Sequence, residues 1–345
     1  MAYRVIELTD SQWDTFVRQH PRGHFLQLNA WGKLKSEYGW YPVRVTLAND
    51  QGEVCAGSQV LLRRLPLRLG TLAYIPYAPL IDWQDSSLIS SMMQALQQLV
   101  KKHRAVFLKI EPGYAVPLDV LRQQGFAESS LTIQPPNTVL IDLDDEENIL
   151  KRMNQGTRRN IRKSEKSEVV IREGTRADVD SFTAMMNETG DRQEFGVHVP
   201  KYYGRAYELF VPSGDAVLLM ASYQDVDLAG VFVFKVGKSA WYQYGASRDV
   251  ERQRMAAFGV QWAGITWALA QGCTVYDMVG IPDEHEATLE AGFETRHDGL
   301  WGVYRFKRGW GGRVARTVGA WDKIYNRPLY LLYQLALRWR RAATD

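Results

Sequence analysis

The sequence predicts an α/β protein built from two copies of one unit, each a mixed sheet flanked by helices. Three observations carry this. The 345 residues suit two domains of ~100–200 residues. Alternating apolar segments recur beside segments of helical spacing. Two stretches also resemble each other: VRVTLANDQGEVCAGSQVLLRR followed by LAYIPYAPLID parallels LLMASYQDVDLAGVFVFKVG followed by AWYQYGASRD.

In the first copy, Thr9 and Asp10 open an amphipathic helix through Trp13, Phe16 and Val17. Strands are expected at Val43–Leu47 and Cys55–Leu62 around an Asn-Asp-Gln-Gly turn, then at Leu72–Ile75. A helix over Leu88–Lys102 leads to a buried strand, Val106–Ile110, that ends at Glu111. Val139–Leu143 reads as the last strand of this copy, so the first domain is expected over 1–145 and the second over 146–317. In the second copy the spacing predicts a helix over Ala177–Met186, one over Tyr202–Phe210 behind Pro200, and strands at Val217–Ser222, Leu228–Lys235 and Ala240–Ala246. A helix over Ala256–Ala270 and a strand at Val275–Met278 close it.

Composition narrows the function. A hydrophobic share of 46% with 23% charged residues excludes a disordered, collagen-like or coiled-coil chain. Two cysteines, Cys55 and Cys273, exclude a disulfide scaffold and a paired-cysteine zinc site. A net charge of +3 excludes a uniformly basic coat but leaves room for a local patch. One exists: Arg158, Arg159, Arg162, Lys163 and Lys166 crowd one stretch, and a helix there puts the last four on one face. Such a face suits nucleic-acid phosphates, or is simply solvated. The N-terminus has no apolar core of a signal peptide, and no window of ~18 apolar residues occurs, so a cytoplasmic protein is expected. At the C-terminus Leu329, Leu332, Tyr333, Leu335, Ala336 and Trp339 recur at helical spacing, with Arg338, Arg340 and Arg341 among and after them. Two readings stay open: a terminal helix packed on the body, or one lying peripherally on the inner face of an anionic membrane.

A meander, a helix and a strand form the layout of the GNAT (acyl-CoA N-acyltransferase) fold. That fold cradles a pyrophosphate on a loop of the form Arg/Gln-x-x-Gly-x-Gly/Ala. Neither Arg252–Gly259 nor the segment before Leu88 has this loop, which disfavours coenzyme A as donor. Five segments carry a more specific likeness: Phe25–Lys35, Thr157–Lys166, Trp241–Ser247, Tyr276–Ile281, and Phe306–Gly312 with Trp321-Asp322. In these, over nearly the whole chain, the protein resembles the Fem family of aminoacyl-tRNA-dependent peptidoglycan transferases, in its arm-less form. The resemblance implies two GNAT-like domains in tandem, with the C-terminal residues from about 318 able to pack back on the first. It implies attack by a stem-peptide amine of a lipid-linked or UDP-linked precursor on the ester of aminoacyl-tRNA, forming an interpeptide bridge. The ester is already activated, so no ATP, metal or other cofactor is implied. The sequence has no phosphate-binding Gly-x-x-x-x-Gly-Lys-Ser/Thr loop.

Site residues carry over by motif. Lys307 matches the family's Phe-Lys motif, on an apparent strand from Trp301, and would serve tRNA phosphate or the developing charge. Lys35, with Lys33 as the alternative, would hold precursor phosphate. Tyr203 and Tyr244 match tyrosines of the precursor site. Tyr242 and Tyr244 are expected on one strand face, where core packing is the competing reading. Relatives carry an arginine where this chain has Val199, so Lys201, Arg192 or Arg205 would take over phosphate binding. Glu111 would be a general base or ammonium anchor, or else a strand-end ion pair; Asp277 is its weaker counterpart in the second copy. Two competing functions remain: a coenzyme-A-dependent N-acyltransferase, and a non-enzymatic precursor-binding scaffold.

Overall fold

A computed structural model describes residues 3–66, 69–193 and 196–342, with the side chains of residues 193 and 338–342 outside that description. The first run of elements is β1 (Arg4–Ile6), α1 (Asp10–Gln19), α2 (Asn29–Ser36), β2 (Tyr41–Ala48), β3 (Val54–Arg64), β4 (Thr71–Pro76), α3 (Ser86–Lys102), β5 (Ala105–Glu111), α4 (Leu118–Gln123) and β6 (Ala127–Ser129). The second is β7 (Asn137–Asp142), α5 (Glu146–Arg152), α6 (Gln155–Lys166), β8 (Val170–Glu173), α7 (Val179–Gln193), α8 (Pro200–Phe210), β9 (Ala216–Tyr223), β10 (Val226–Val236), β11 (Ser239–Ser247), α9 (Ala256–Ala270), β12 (Val275–Asp277), α10 (Glu286–Gly292), α11 (Trp301–Arg308) and β13 (Arg313–Arg316). The chain ends with β14 (Ala320–Ile324) and α12 (Arg327–Ala342).

Two compact units result, one of residues 1–134 with 317–345, the other of residues 135–316. Their sheets have one plan. The first runs β1-β2-β3-β4-β5-β14-β6 and the second β8-β9-β10-β11-β12-β7-β13. Each is antiparallel except for one parallel pair at the same place, β4 with β5 and β11 with β12. Against the expected order the sixth places are exchanged: β14, from the end of the chain, fills that of the first sheet, and β7, the opening strand of the second run, fills that of the second.

That exchange moves the boundary expected near residue 145. β7, expected to finish the first unit, pairs antiparallel with β12, Ile141 opposite Tyr276 and Leu140 opposite Asp277. The place beside β5 is filled by β14, whose Asp322 falls opposite Lys109. These two form an ion pair of 2.9 Å with both side chains 3% exposed. Lys109 Nζ also donates to Ser129 Oγ and the Leu131 carbonyl, and Tyr330 donates to Asp322. A strand's own pattern sets its faces, not its partner, so local alternation could not show this exchange.

Helices cover the sheets for ordinary reasons. Asp85 caps α3 by accepting from the Ser87 and Leu88 amides, and the helix buries Leu88, Ile89, Met92, Leu96 and Val100. Burying such a side chain contributes about 1.5–3 kcal/mol. In the second unit α6 crosses α9 at Gly259, where a Cβ would lie 2.3 Å from Ser164 Oγ. Helix α12 packs Leu329, Tyr330 and Tyr333 against a cluster of Leu65, Leu72, Val106 and Phe107. Its Leu331, Leu332 and Leu335 stay exposed. The C-terminal segment thus packs on the body and keeps an apolar outer face. The side chains of Arg338, Trp339, Arg340 and Arg341 lie outside the described residues. No helix among the described residues is long and apolar enough to cross a membrane.

Candidate active site

Strands β11 and β12 pair over three residues only, Ser239↔Val275 to Trp241↔Asp277. β11 then continues to Ser247, while the chain beyond β12 turns off through Val279 and Gly280, both at positive φ. The two strands therefore splay. The gap is part of a cavity of ≈540 Å³ whose lining includes Arg192, His198, Tyr203, Tyr242, Tyr244 and Lys307.

A bulge shapes its floor. Phe232 of β10 opposes Tyr244 and the next residue, Val233, opposes Tyr242, so Gln243 is the extra residue. Phe232 and Val233 face opposite sides of the sheet, and the two tyrosines follow them. Tyr244 joins the rings of Tyr203 (5.3 Å) and Phe232 beneath α7 and α8. Tyr242 packs with the α9-side core. The expectation of one shared face is corrected by this single inserted residue. Gly245 is required beside it, because a Cβ there would lie 1.8 Å from the Tyr242 phenol oxygen.

Lys307 lies on a helix, not at a strand end. The alternation of Trp301, Val303 and Arg305 suggests a strand, but the residues that bury are Trp301, Tyr304 and Lys307, three apart on one face of α11. The amine reaches into the splay, donating to the carbonyls of Val279 and Gly280 (2.7 Å to the latter). It stands 5.6 Å from the centre of the Tyr242 ring. Burial pushes its pKa down to about 7, against the pull of the Asp277 carboxylate. Asp277 in turn accepts from the Thr138 hydroxyl and the Val279 amide.

Other expected residues divide. Tyr203, set by Pro200 at the start of α8, lines the cavity, accepts from the His198 amide at 3.3 Å, and has its pKa raised by burial. Tyr244 donates to Tyr202 at 3.3 Å, and burial raises its pKa further still. Arg192 lines the cavity while donating to Ser247 and pairing with Asp249 at 3.5 Å. Lys201 is exposed and is not among the lining residues, and Arg205 pairs with Glu208. His198, Gln243 and Arg252 also line the cavity, and sequence reasoning missed them. His198 stacks on Tyr202 at 3.8 Å, and its place four residues before Tyr202 was the one signal that could have suggested it.

Lys35, Lys33 and Glu111 belong to the first unit. Lys35 lies over the Trp31 ring at 4.4 Å, and burial together with the Arg63 charge brings its pKa to about 8. Lys33 is exposed and paired with Asp10 at 3.1 Å. Glu111 is buried at the end of β5, accepting from the Tyr74 hydroxyl and from the amides of Ile133 and Gln134. Burial raises its pKa against these bonds.

The basic helix α6 also divides. Arg158 turns back to donate to the carbonyls of Leu150 and Met153 at the end of α5. Arg159, Arg162, Lys163 and Lys166 are exposed, opposite the buried Thr157, Ile161 and Ser164. Among the described residues none of the four is in an ion pair.

Comparison with known proteins extends over the same chain. The model of the FemAB family matches residues 8–128, 121–224 and 219–338. Lipid II:glycine glycyltransferase of Staphylococcus saprophyticus subsp. saprophyticus is 24% identical over 403 residues, covering 95% of this chain and 95% of the relative. The protein of that name from Staphylococcus aureus is 24% identical over 408 residues, covering 95% and 94%. The crystal structure of FemX superposes with a TM-score of 0.86 at 22% identity, over 95% of this chain and 99% of the other. A tandem GNAT protein from the clavulanic acid biosynthesis pathway gives a TM-score of 0.55 at 12% identity, over 93% and 98%. These two structures establish a tandem GNAT-like fold.

Proposed function

The chain belongs to the FemAB family, and we propose that it is an aminoacyltransferase that passes an aminoacyl group from aminoacyl-tRNA to the stem-peptide amine of a lipid-linked peptidoglycan precursor, forming an interpeptide bridge. The observation that carries this is a buried amine, Lys307, in a cavity of the second unit, within a chain aligned end to end with lipid II:glycine glycyltransferases.

The stem-peptide amine, having lost its proton, attacks the ester carbonyl carbon of the charged tRNA. A C–N bond forms and the carbonyl oxygen becomes an oxyanion. The ester C–O bond then breaks, and the ribose oxygen leaves with the proton shed by the new amide nitrogen. No residue need be acylated. Lys307 suits the oxyanion. An ammonium has three donors, the Val279 and Gly280 carbonyls take two, and the third is left for charge that forms in the cavity. One such donor is worth about 3–4 kcal/mol. Tyr203, Tyr242 and Tyr244 line the same cavity and offer ring faces and hydroxyls to the reacting ends. Arg159, Arg162, Lys163 and Lys166 serve tRNA phosphates, and Lys35 a precursor phosphate. We assign Glu111 the anchoring of segment 133–134, because its carboxylate is already bonded to a hydroxyl and two amides. The same reading puts the protein in the cytoplasm, in peripheral contact with the inner membrane face through its C-terminal segment.

The test is incubation of the purified chain with each aminoacyl-tRNA and a lipid-linked pentapeptide precursor. The expected product carries one added amino acid and is lost when the tRNA is first digested with RNase. An RNase-insensitive product, or none with any aminoacyl-tRNA, overturns the reading.

A further inference from the structure

The three tyrosines that line the cleft are not equivalent. Tyr203, on α8, accepts from the His198 amide, and Tyr244, beneath it, donates to Tyr202. Tyr242 is turned to the opposite side of the sheet by the bulge at Gln243. It lines the cavity, and among the described residues its hydroxyl has no hydrogen-bond partner. Tyr276, the neighbouring phenol in the core behind it, is bonded to Gln261 at 2.8 Å.

The place of the Tyr242 hydroxyl is fixed. Its oxygen is held over Gly245, where a Cβ would lie 1.8 Å from it, and Gly245 and Ala246 also line the cavity. The Lys307 amine lies 5.6 Å from the centre of the same ring. A cationic donor and an unengaged hydroxyl thus face one space. Burial raises the phenol's pKa, so it stays protonated near neutrality and yields its proton only to a strong base. A departing alkoxide is such a base.

Aminolysis of an ester needs a group of this kind. When the tetrahedral adduct collapses, Lys307 holds the oxyanion, yet the ribose oxygen must gain a proton and the new amide nitrogen must lose one. Those two atoms share one carbon and stand too close for direct transfer. A hydroxyl set beside both bridges them without strain.

We propose that Tyr242 is a catalytic proton relay, whose hydroxyl gives its proton to the leaving ribose oxygen and takes one from the new amide nitrogen. The C–O bond breaks and its electron pair passes to the ribose oxygen, which takes the phenol proton. The phenolate takes the proton on nitrogen, so the amide is left neutral and the tyrosine is restored. This rests on the function proposed above and adds to it the group that moves the proton.

The test varies the leaving oxygen. Two aminoacylated donors are compared, one ending in 2′-deoxyadenosine and one in 2′-deoxy-2′-fluoroadenosine. Both lack the 2′-hydroxyl, and the fluorine makes the 3′-oxygen easier to expel. Tyr242→Phe should lower kcat with the deoxy donor by about 10² with KM unmoved, and that loss should shrink about tenfold with the fluoro donor. Lys307→Met should lose the same factor with both, since the oxyanion it holds is not the leaving oxygen. Equal losses for Tyr242→Phe with the two donors, as a packing role would give, or no loss at all, overturns the relay. Should Tyr242→Phe fail to fold, 3-fluorotyrosine at position 242 keeps the hydroxyl and makes it the stronger acid. It should narrow the rate gap between the two donors, and an unchanged gap overturns the relay. A wild-type chain active on the ribose donor but on neither deoxy donor would put the relay on the 2′-hydroxyl and overturn it equally. No transfer by the wild-type chain from the ribose donor would instead overturn the proposed function itself.

Discussion

The two units share a strand order but differ at their parallel pair. In the first, β4 and β5 stay paired over six residues of β4, Thr71↔Ala105 and, after a register shift, Leu72↔Phe107 to Pro76↔Glu111. Beyond them the Tyr77 amide donates to the Glu111 carbonyl at 2.6 Å. In the second, β11 and β12 part after three pairs. The pocket beside Glu111 and Tyr77 holds ≈10 Å³, and the cavity at the splay ≈540 Å³. The strand ends differ to match. Glu111 fills the first with a carboxylate bonded by Tyr74 and two amides, whereas Gly280 turns the chain away in the second and leaves its carbonyl to Lys307. One topology thus gives a sealed sheet or an open cleft, according to how far two strands stay paired.

The largest effect is expected where the first unit is pinned. Lys109→Met leaves Asp322 buried without its partner and should cost about 3–5 kcal/mol, read from urea unfolding. Lys109→Met/Asp322→Leu should recover most of this, since the second unit meets its sixth strand with Ile141 opposite Tyr276. Next comes Lys307→Met, expected to lower kcat by about 10²–10³ with charged tRNA. Glu111→Gln should cost less than tenfold, while a loss near 10²–10⁴ would make the first unit catalytic and break the comparison.

The low pKa of Lys307 has a stability consequence. Between about 7 and its ordinary value of 10.5 the unfolded chain binds a proton that the folded chain lacks. Stability therefore rises with pH across that window, by on the order of 4 kcal/mol from this group. Unfolding at pH 7 and pH 10 should show the rise in wild type and a smaller one in Lys307→Met. Gly245→Ala is expected to cost about 1–3 kcal/mol by driving the new methyl into Tyr242, with transfer reduced as the cleft floor shifts. Smallest is a single change on α6: Arg162→Gln should weaken tRNA binding and reduce the salt slope by about one. Arg158→Gln should leave that slope unchanged.

Much of the fold could be read from residue order because it rests on local signals. The helix expected at Ala256–Ala270 is α9 with the same ends, and Pro200 opens α8. Strand partners could not be read. Val139 and Ile141 state that β7 is buried, but not that β12 rather than β5 lies beside it. Lys307 was legible as a residue through its motif, yet its element was not, because Trp301, Val303 and Tyr304 fit both periods. The bulge at Gln243 leaves no mark in composition, so the division of Tyr242 from Tyr244 appears only in the strand register. Arg158 was indistinguishable from its basic neighbours until its position beneath the end of α5 was known.

The central claim is that the splay of the second unit, and not the sealed pair of the first, receives the aminoacyl end of the donor. Hydrogen exchange with a short RNA ending in a non-hydrolysable 3′-aminoacylamido-adenosine tests it most directly. The account predicts slowed exchange at 242–247, 279–280 and 301–307, with none at 74–77 and 105–111, and loss of that protection in Lys307→Met. Protection at 74–77 and 105–111 with the second unit unchanged would contradict it.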